Sequence, residues 1–250
     1  MVWSCLVSIL PGMAQTEKLT DYVNPFVGTD GYGNVYPGAQ IPFGGIQISP
    51  DTDSRFYDAA SGYKYNHLTL MGFSLTHLSG TGIPDLGDFL FIPGTGEMKL
   101  EPGTHEDPDQ GYRSRYSHDK EWASPNYYAV ELADYGVKAE MTSGVRSGMF
   151  RFTYPESDNA FIMIDMNHTL WQSCEWSNLR MINDSTITGY KLVKGWGPER
   201  HVYFTATFSK KLTGLRFVQD KKPVIYNTSR FRSSYEAWGK NLMACISFDT

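Results

Sequence analysis

Turn-forming residues recur along this chain so closely that no apolar run escapes them for long. Between Tyr22 and Gly111 they come as Asn24-Pro25, Gly28-Thr29-Asp30-Gly31, Pro37-Gly38, Pro42-Phe43-Gly44-Gly45, Ser49-Pro50-Asp51 and Ser61-Gly62. Proline removes a backbone donor and glycine raises the entropic cost of regular structure, so helices of ordinary length have no room there. The gaps hold short apolar pieces such as Gly45-Ile46-Gln47-Ile48, long enough for a strand and too short for a helix.

From Tyr112 onward the texture changes to strand-like segments bounded by Gly, Pro, Asn or Asp. These are Tyr127-Tyr128-Ala129-Val130-Glu131-Leu132, Val137-Lys138-Ala139-Glu140-Met141, residues 149–154, residues 161–166, residues 186–192, residues 200–208 and residues 244–248. A helical period over three turns is nowhere present. Many short strands joined by tight turns predict a mostly β, antiparallel β-sandwich, in which two packed sheets bury alternate residues. The chain has 250 residues, 41% of them hydrophobic, enough for a sizeable core in one large all-β domain or two smaller ones. No internal repeat or low-complexity linker divides it. Residues 246–250 stop in or just after a strand, so the chain is expected to be cut short.

Charge narrows the partners. The net charge is −5 and no long Lys/Arg cluster occurs, which argues against nucleic acid. The first fifteen residues, MVWSCLVSILPGMAQ, read as a secretory signal lacking its basic start, and a secreted or periplasmic protein is expected. That run is too short to span a bilayer, and no later one is long enough. Cys5 would leave with the signal, and Cys174 and Cys245 would either pair or remain as buried thiols. Aromatic residues make up 14% of the chain, with 16 Tyr and 6 Trp. Flat faces with polar rims suit sugar rings, although all-β proteins are rich in aromatics in any case.

The candidate chemistry lies in loops. Gly28-Thr29-Asp30-Gly31-Tyr32-Gly33-Asn34 lacks the following helix that a phosphate cradle needs. Asp30 and Asn34 lack the spacing of a calcium loop, and no His or Cys pair has zinc spacing. The stretch Phe73 to Phe91, FSLTHLSGTGIPDLGDFLF, must be a shaped loop between two strands. His77 in it is either a base or a hydrogen-bonded structural residue. Asp85 and Asp88 are either an acid and base pair or turn caps. Trp171, Trp176 and Trp196 are candidate stacking platforms, Trp196 most of all because glycines flank it; a tryptophan bridging two sheets is the alternative. Sequons at Asn167, Asn183 and Asn227 carry no weight, being short enough to arise by chance.

Taken in order, Tyr22-Val23-Asn24-Pro25-Phe26-Val27-Gly28-Thr29, Gly33-Asn34-Val35-Tyr36-Pro37-Gly38-Ala39, Pro42-Phe43-Gly44, Ser49-Pro50-Asp51-Thr52, Ser61-Gly62-Tyr63, residues 72–82, Gly87-Asp88, residues 124–128, Gly195-Trp196 and Val202-Tyr203-Phe204 carry a resemblance. They resemble the N-terminal domain of glycoside hydrolase family 92, a family of calcium-dependent exo-α-mannosidases. The resemblance implies a supersandwich-like domain over residues 20–250, followed in the whole enzyme by an (α/α)6 barrel. It places the catalytic acid and base, and most calcium ligands, on that barrel, so this chain holds no catalytic residue and no metal site of its own. It implies that Gly31, Gly33, Asn34, Tyr57, His77, Ser79 and Gly80 contact a mannose-containing glycan. Two positions depart from the family pattern. Tyr57 stands near a usual tryptophan, and Ser74-Leu75-Thr76-His77 replaces a Ser-His-Thr-His sequence. The rivals are a stand-alone carbohydrate-binding β-sandwich module and an unrelated all-β adhesion domain.

Overall fold

The computed structural model describes residues 17–54, 57–225 and 235–249, apart from the side chain of Asp58. The expected signal at 1–15, Phe56 and the sequon at Asn227 lie outside the described residues.

Strands dominate, as the turn spacing requires. An eight-stranded antiparallel sheet runs in spatial order Ala39–Gln40, Gln47–Asp51, Gly72–Ser74, Leu90–Thr95, Ala160–Asp165, Leu242–Phe248, Gly214–Gln219 and Lys222–Pro223. One four-stranded sheet contains Gly148–Thr153, Val137–Ser143, Tyr127–Leu132 and Glu121–Ser124. A second contains Arg200–Thr207, Thr186–Lys194, Ser173–Asn183 and Glu236–Gly239. Thr69–Leu70 and Ser114–Arg115 form a small two-stranded ladder. Helical structure among the described residues is limited to single 3-10 turns such as Leu19–Tyr22 and Tyr57–Ala59. None of it is long and apolar enough to cross a membrane.

The large sheet is one layer of the sandwich, and the two four-stranded sheets share the other. Ile48 and Phe73 pack against Tyr128, Val130, Val137, Ala139 and Met141 of the first small sheet. Phe91, Ile162, Ile164, Ala244 and Ile246 pack against Leu179 and Ile187 of the second. Alternation then sends Leu90, Ile92, Phe161, Met163, Met243 and Cys245 to the opposite face, where Tyr112, Met98 and Leu100 cover them. The central strands are therefore buried on both sides and read as unbroken apolar runs. The split of the second layer into two sheets goes beyond the simple two-sheet expectation. Cys174 and Cys245 are both buried free thiols.

Phe91 couples the halves. Its ring lies 5.1 Å from that of Phe150 in one small sheet and 6.0 Å from that of Phe204 in the other. Gly189 makes room for the same cluster, since a Cβ there would fall 2.1 Å from Phe204 Cε1. Loops 75–89 and 166–172 leave the large sheet at one end, where Asp165 pairs with Leu90.

Phe91→Ala should cost about 3–5 kcal/mol through the cavity it opens, read as a lowered urea midpoint; a loss below about 1 kcal/mol would show that this ring does not join the two cores.

Candidate functional site

The loops at that end stand on a buried ionic floor. Asp51, at the end of its strand, has no exposed surface. One carboxylate oxygen lies 2.8 Å from His77 Nε2 and the other 2.8 Å from His168 Nε2. His77 Nδ1 lies 2.7 Å from the Gln47 carbonyl oxygen, so both of its ring nitrogens are engaged within the chain. Burial pushes the Asp51 carboxyl up, but the two imidazoles, by charge and hydrogen bonding, outweigh it and hold the group well below the usual carboxylate range. Gly62 lets the chain press against this carboxylate: at φ +85°, a Cβ there would fall 2.1 Å from Asp51 Oδ1.

A second buried group lies alongside. The Lys191 ammonium, fully enclosed, sits 3.1 Å from Asp88 Oδ1 and donates to the His168 carbonyl at 2.7 Å. Arg200 Nη1 and Thr76 Oγ1 both donate to Asp88 Oδ2. Burial pushes the Asp88 carboxyl up; Lys191, Arg200 and Thr76 together overcome that and hold it down. Asp85 accepts from its neighbour Leu86 N at 2.6 Å and from Trp196 N at 3.2 Å. Asp85 and Asp88 are 6% and 0% exposed. The acid and base alternative for these two is thus overturned: neither offers a carboxyl to solvent, and both spend their oxygens on holding loops.

Above this floor lies an exposed rim. Lys64 Nζ donates to Gly31 O at 2.6 Å, and Gly80 N donates to Asn34 O at 2.8 Å. A Cβ on Gly82 would stand 4.0 Å from both Asn34 Nδ2 and the Tyr57 hydroxyl. The structure thus brings Asn34, Tyr57 and Gly80 together beside Gly82, with Gly31 and Gly33 in the same loop as Asn34 and Ser79 next to Gly80. His77, two residues before Ser79, lies beneath them in the core. Gly31, Ser79, Gly80 and Gly82 are exposed, as is Tyr57. Gly33 is obligatory, because a Cβ would lie 2.1 Å from the Gly28 carbonyl oxygen. Asn34 Oδ1 is buried without a hydrogen-bond partner, an acceptor left available to a ligand donor.

The glycosyl hydrolase family 92 N-terminal domain model matches residues 22–250. The chain belongs to family 92. Over 92% of its length it superposes on the gh92 family glycosyl hydrolase ccman5 with a TM-score of 0.75 and 26% identity, covering 30% of that chain. It is 30% identical over 139 residues to an uncharacterized secreted glycosidase of Arthroderma benhamiae, a match that spans 55% of this chain and 17% of the relative.

The family implies calcium in the whole enzyme. Calcium takes six to eight oxygen ligands, and among the described residues no group of three or more His, Cys, Asp or Glu could hold a metal. The rim by itself offers no carboxylate-rich cage of that kind among the described residues.

His168, Lys191 and Arg200 escaped the sequence reading. His168 stood out only as part of a sequon, and Lys191 and Arg200 lie in strands whose alternation drew attention to their apolar neighbours. The usable signal was the alternation itself, which puts Lys191 on the inward face between Gly189 and Val193. The bridging alternative for Trp196 is also overturned, because that side chain is 70% exposed.

Because the Asp51 carboxyl is held low in the folded chain, its contribution to stability is present at neutral pH. It is lost as pH falls through and below about 4. Asp51→Asn should lower stability at pH 7 by about 3 kcal/mol and flatten the acid decline, followed by urea midpoints between pH 7 and pH 2; an unchanged slope would remove Asp51 from the account.

Proposed function

We propose that this family 92 domain completes the mannose pocket of a secreted or periplasmic bacterial α-mannosidase that releases terminal α-mannose from glycans with inversion. The observation that carries this is the rim, in which exposed Gly31, Tyr57, Ser79 and Gly80 stand with half-buried Gly33 and Asn34, tethered through Gly80 N to Asn34 O and through His77 to the Asp51 network. Flexible glycine segments would adapt to any ligand; these are pinned, so backbone groups stand ready for hydroxyls without reorganisation. Tyr57, 61% exposed, supplies a ring for the C–H face of a sugar. Asn34 Oδ1 supplies a fixed acceptor for a hydroxyl.

Inverting hydrolysis needs two carboxyl groups about 6.5–9.5 Å apart with a water between them. The buried, ion-paired Asp51 and Asp88 do not suit those roles, which fall to a barrel outside this chain. Calcium, implied for the whole enzyme, would rest mostly on that barrel. The work assigned to the present residues is to bind and orient the terminal sugar and to keep water from its outer face. Export agrees with the description of the Arthroderma benhamiae relative as secreted.

The 250-residue chain incubated with a chromogenic α-mannoside should show no turnover; turnover comparable to a full-length enzyme would refute the division of labour. Separately, Gly33→Ala should weaken binding of methyl α-mannoside at least about tenfold, measured by calorimetry, with the far-ultraviolet spectrum unchanged. Unaltered affinity would place the sugar away from this rim.

A further inference from the structure

On the face of the large sheet turned away from the two small sheets lies a cleft of about 960 Å³. We propose that it is a binding site for an organic cation, an alkyl- or arylammonium whose charge meets Asp165 and whose apolar body lies along the sheet. The cleft shares no residue with the sugar rim, so this site stands apart from the mannose reading.

Alternation along Ala160–Asp165 turns Phe161 and Met163 to this face, and the next position on it is Asp165. A carboxylate thus stands where the pattern calls for a third apolar side chain. Its hydrogen bonds come from neutral donors, the Asn167 N–H at 2.8 Å on Oδ1 and the Tyr112 hydroxyl. The basic groups that act on it, His168 and Lys191, are bound elsewhere, to Asp51 and Asp88. Burial pushes the Asp165 carboxyl up, and those two groups oppose this without overcoming it. A cationic ligand in the cleft supplies the partner that the chain does not.

The rest of the lining sets the sign and shape of the ligand. At the mouth Lys221 pairs with Glu101 at 2.6 Å and Lys240 with Glu175 at 3.2 Å. Asp220 accepts from the neutral Asn241 Nδ2 at 2.7 Å. Among the described lining residues, two carboxylates, Asp165 and Asp220, are therefore left without a cation, and a cleft with one sign of charge in excess concentrates counter-ions. Met71, Leu100, Val218 and Met243 supply an apolar wall. Trp171 and Tyr112 add aromatic rings, which attract a cation held over their faces. Gln172 Oε1, buried without a partner, is a further acceptor for an ammonium N–H. The volume lies within the range of about 300–1,000 Å³ usual for small-molecule sites. One carboxylate beside aromatic rings suits an organic ammonium; a metal ion needs several such ligands, and no group of three or more His, Cys, Asp or Glu is gathered for one among the described residues.

The test titrates the 250-residue chain by calorimetry at pH 7 with benzylamine, which is protonated there, with benzyl alcohol as its uncharged analogue and with phenylacetate as an anion. Benzylamine should bind at least about tenfold more tightly than benzyl alcohol, as one charge-assisted hydrogen bond provides, and phenylacetate should not bind. Asp165→Asn, which keeps an acceptor for Asn167 and Tyr112, should erase the preference for the amine and leave benzyl alcohol binding unchanged. Trp171→Ala, at an exposed side chain, should weaken benzylamine about threefold or more, while Trp238→Ala, outside the cleft, should have no effect. Equal affinity for benzylamine and benzyl alcohol in the unaltered chain overturns the site without recourse to any variant. A preference that survives Asp165→Asn and falls with Asp220→Asn places the cation at the mouth and overturns the assignment to Asp165. Should Asp165→Asn not fold, unchanged benzylamine affinity in Trp171→Ala overturns it equally. Asp165→Asn should leave methyl α-mannoside affinity as it was, so the failure of either site leaves the other standing.

Discussion

A single buried carboxylate joins three parts of the chain that lie far apart in sequence. Asp51 ends a strand of the large sheet, His77 belongs to the loop that follows Ser74, and His168 to the loop that follows Asp165. Taking an ion out of water is costly unless it is paired and hydrogen-bonded, and here both oxygens have ring nitrogens at 2.8 Å. The arrangement offsets the cost of burial and leaves few alternative positions for either loop. A chain of further contacts at this end of the sandwich starts from it: Lys191 reaches the His168 carbonyl, Asp88 reaches Lys191, and Arg200 reaches Asp88.

The division between floor and rim follows from chemistry. Charges with partners inside the chain form the floor, where solvent is absent and their attraction is strong. Glycines and small polar residues form the rim, where the backbone itself can meet a ligand. A pocket of this construction binds by shape and hydrogen bonding and needs no titratable group at its surface. That suits the share of the chemistry proposed above for this family 92 domain, which is to position a sugar.

Much of the fold was legible because alternation and turn residues act locally. The segments 127–132, 137–141, 161–166 and 186–192 fall on observed strands. Ser173–Asn183, the longest strand, had no visible pattern, because register shifts at Cys174/Trp176 and Met181/Asn183 interrupt its alternation. The rim was legible only through resemblance, since nothing local in Gly31 or Ser79 says that they meet. The floor was scarcely legible at all: a contact such as Asp51 with His168 spans 117 positions, and no short-range pattern encodes it.

The strand Leu242–Phe248 lies in the middle of the large sheet, between Ala160–Asp165 and Gly214–Gln219. Its partners are made earlier during synthesis, yet the edge that each offers to it stays unpaired until residue 248 has left the ribosome. Long-range pairing of this kind is slow, and in the interval Ile162, Ile164 and Phe217 stand bare to other chains. A nascent polypeptide with this topology has reason to stay under the protection of a chaperone until that strand is in place.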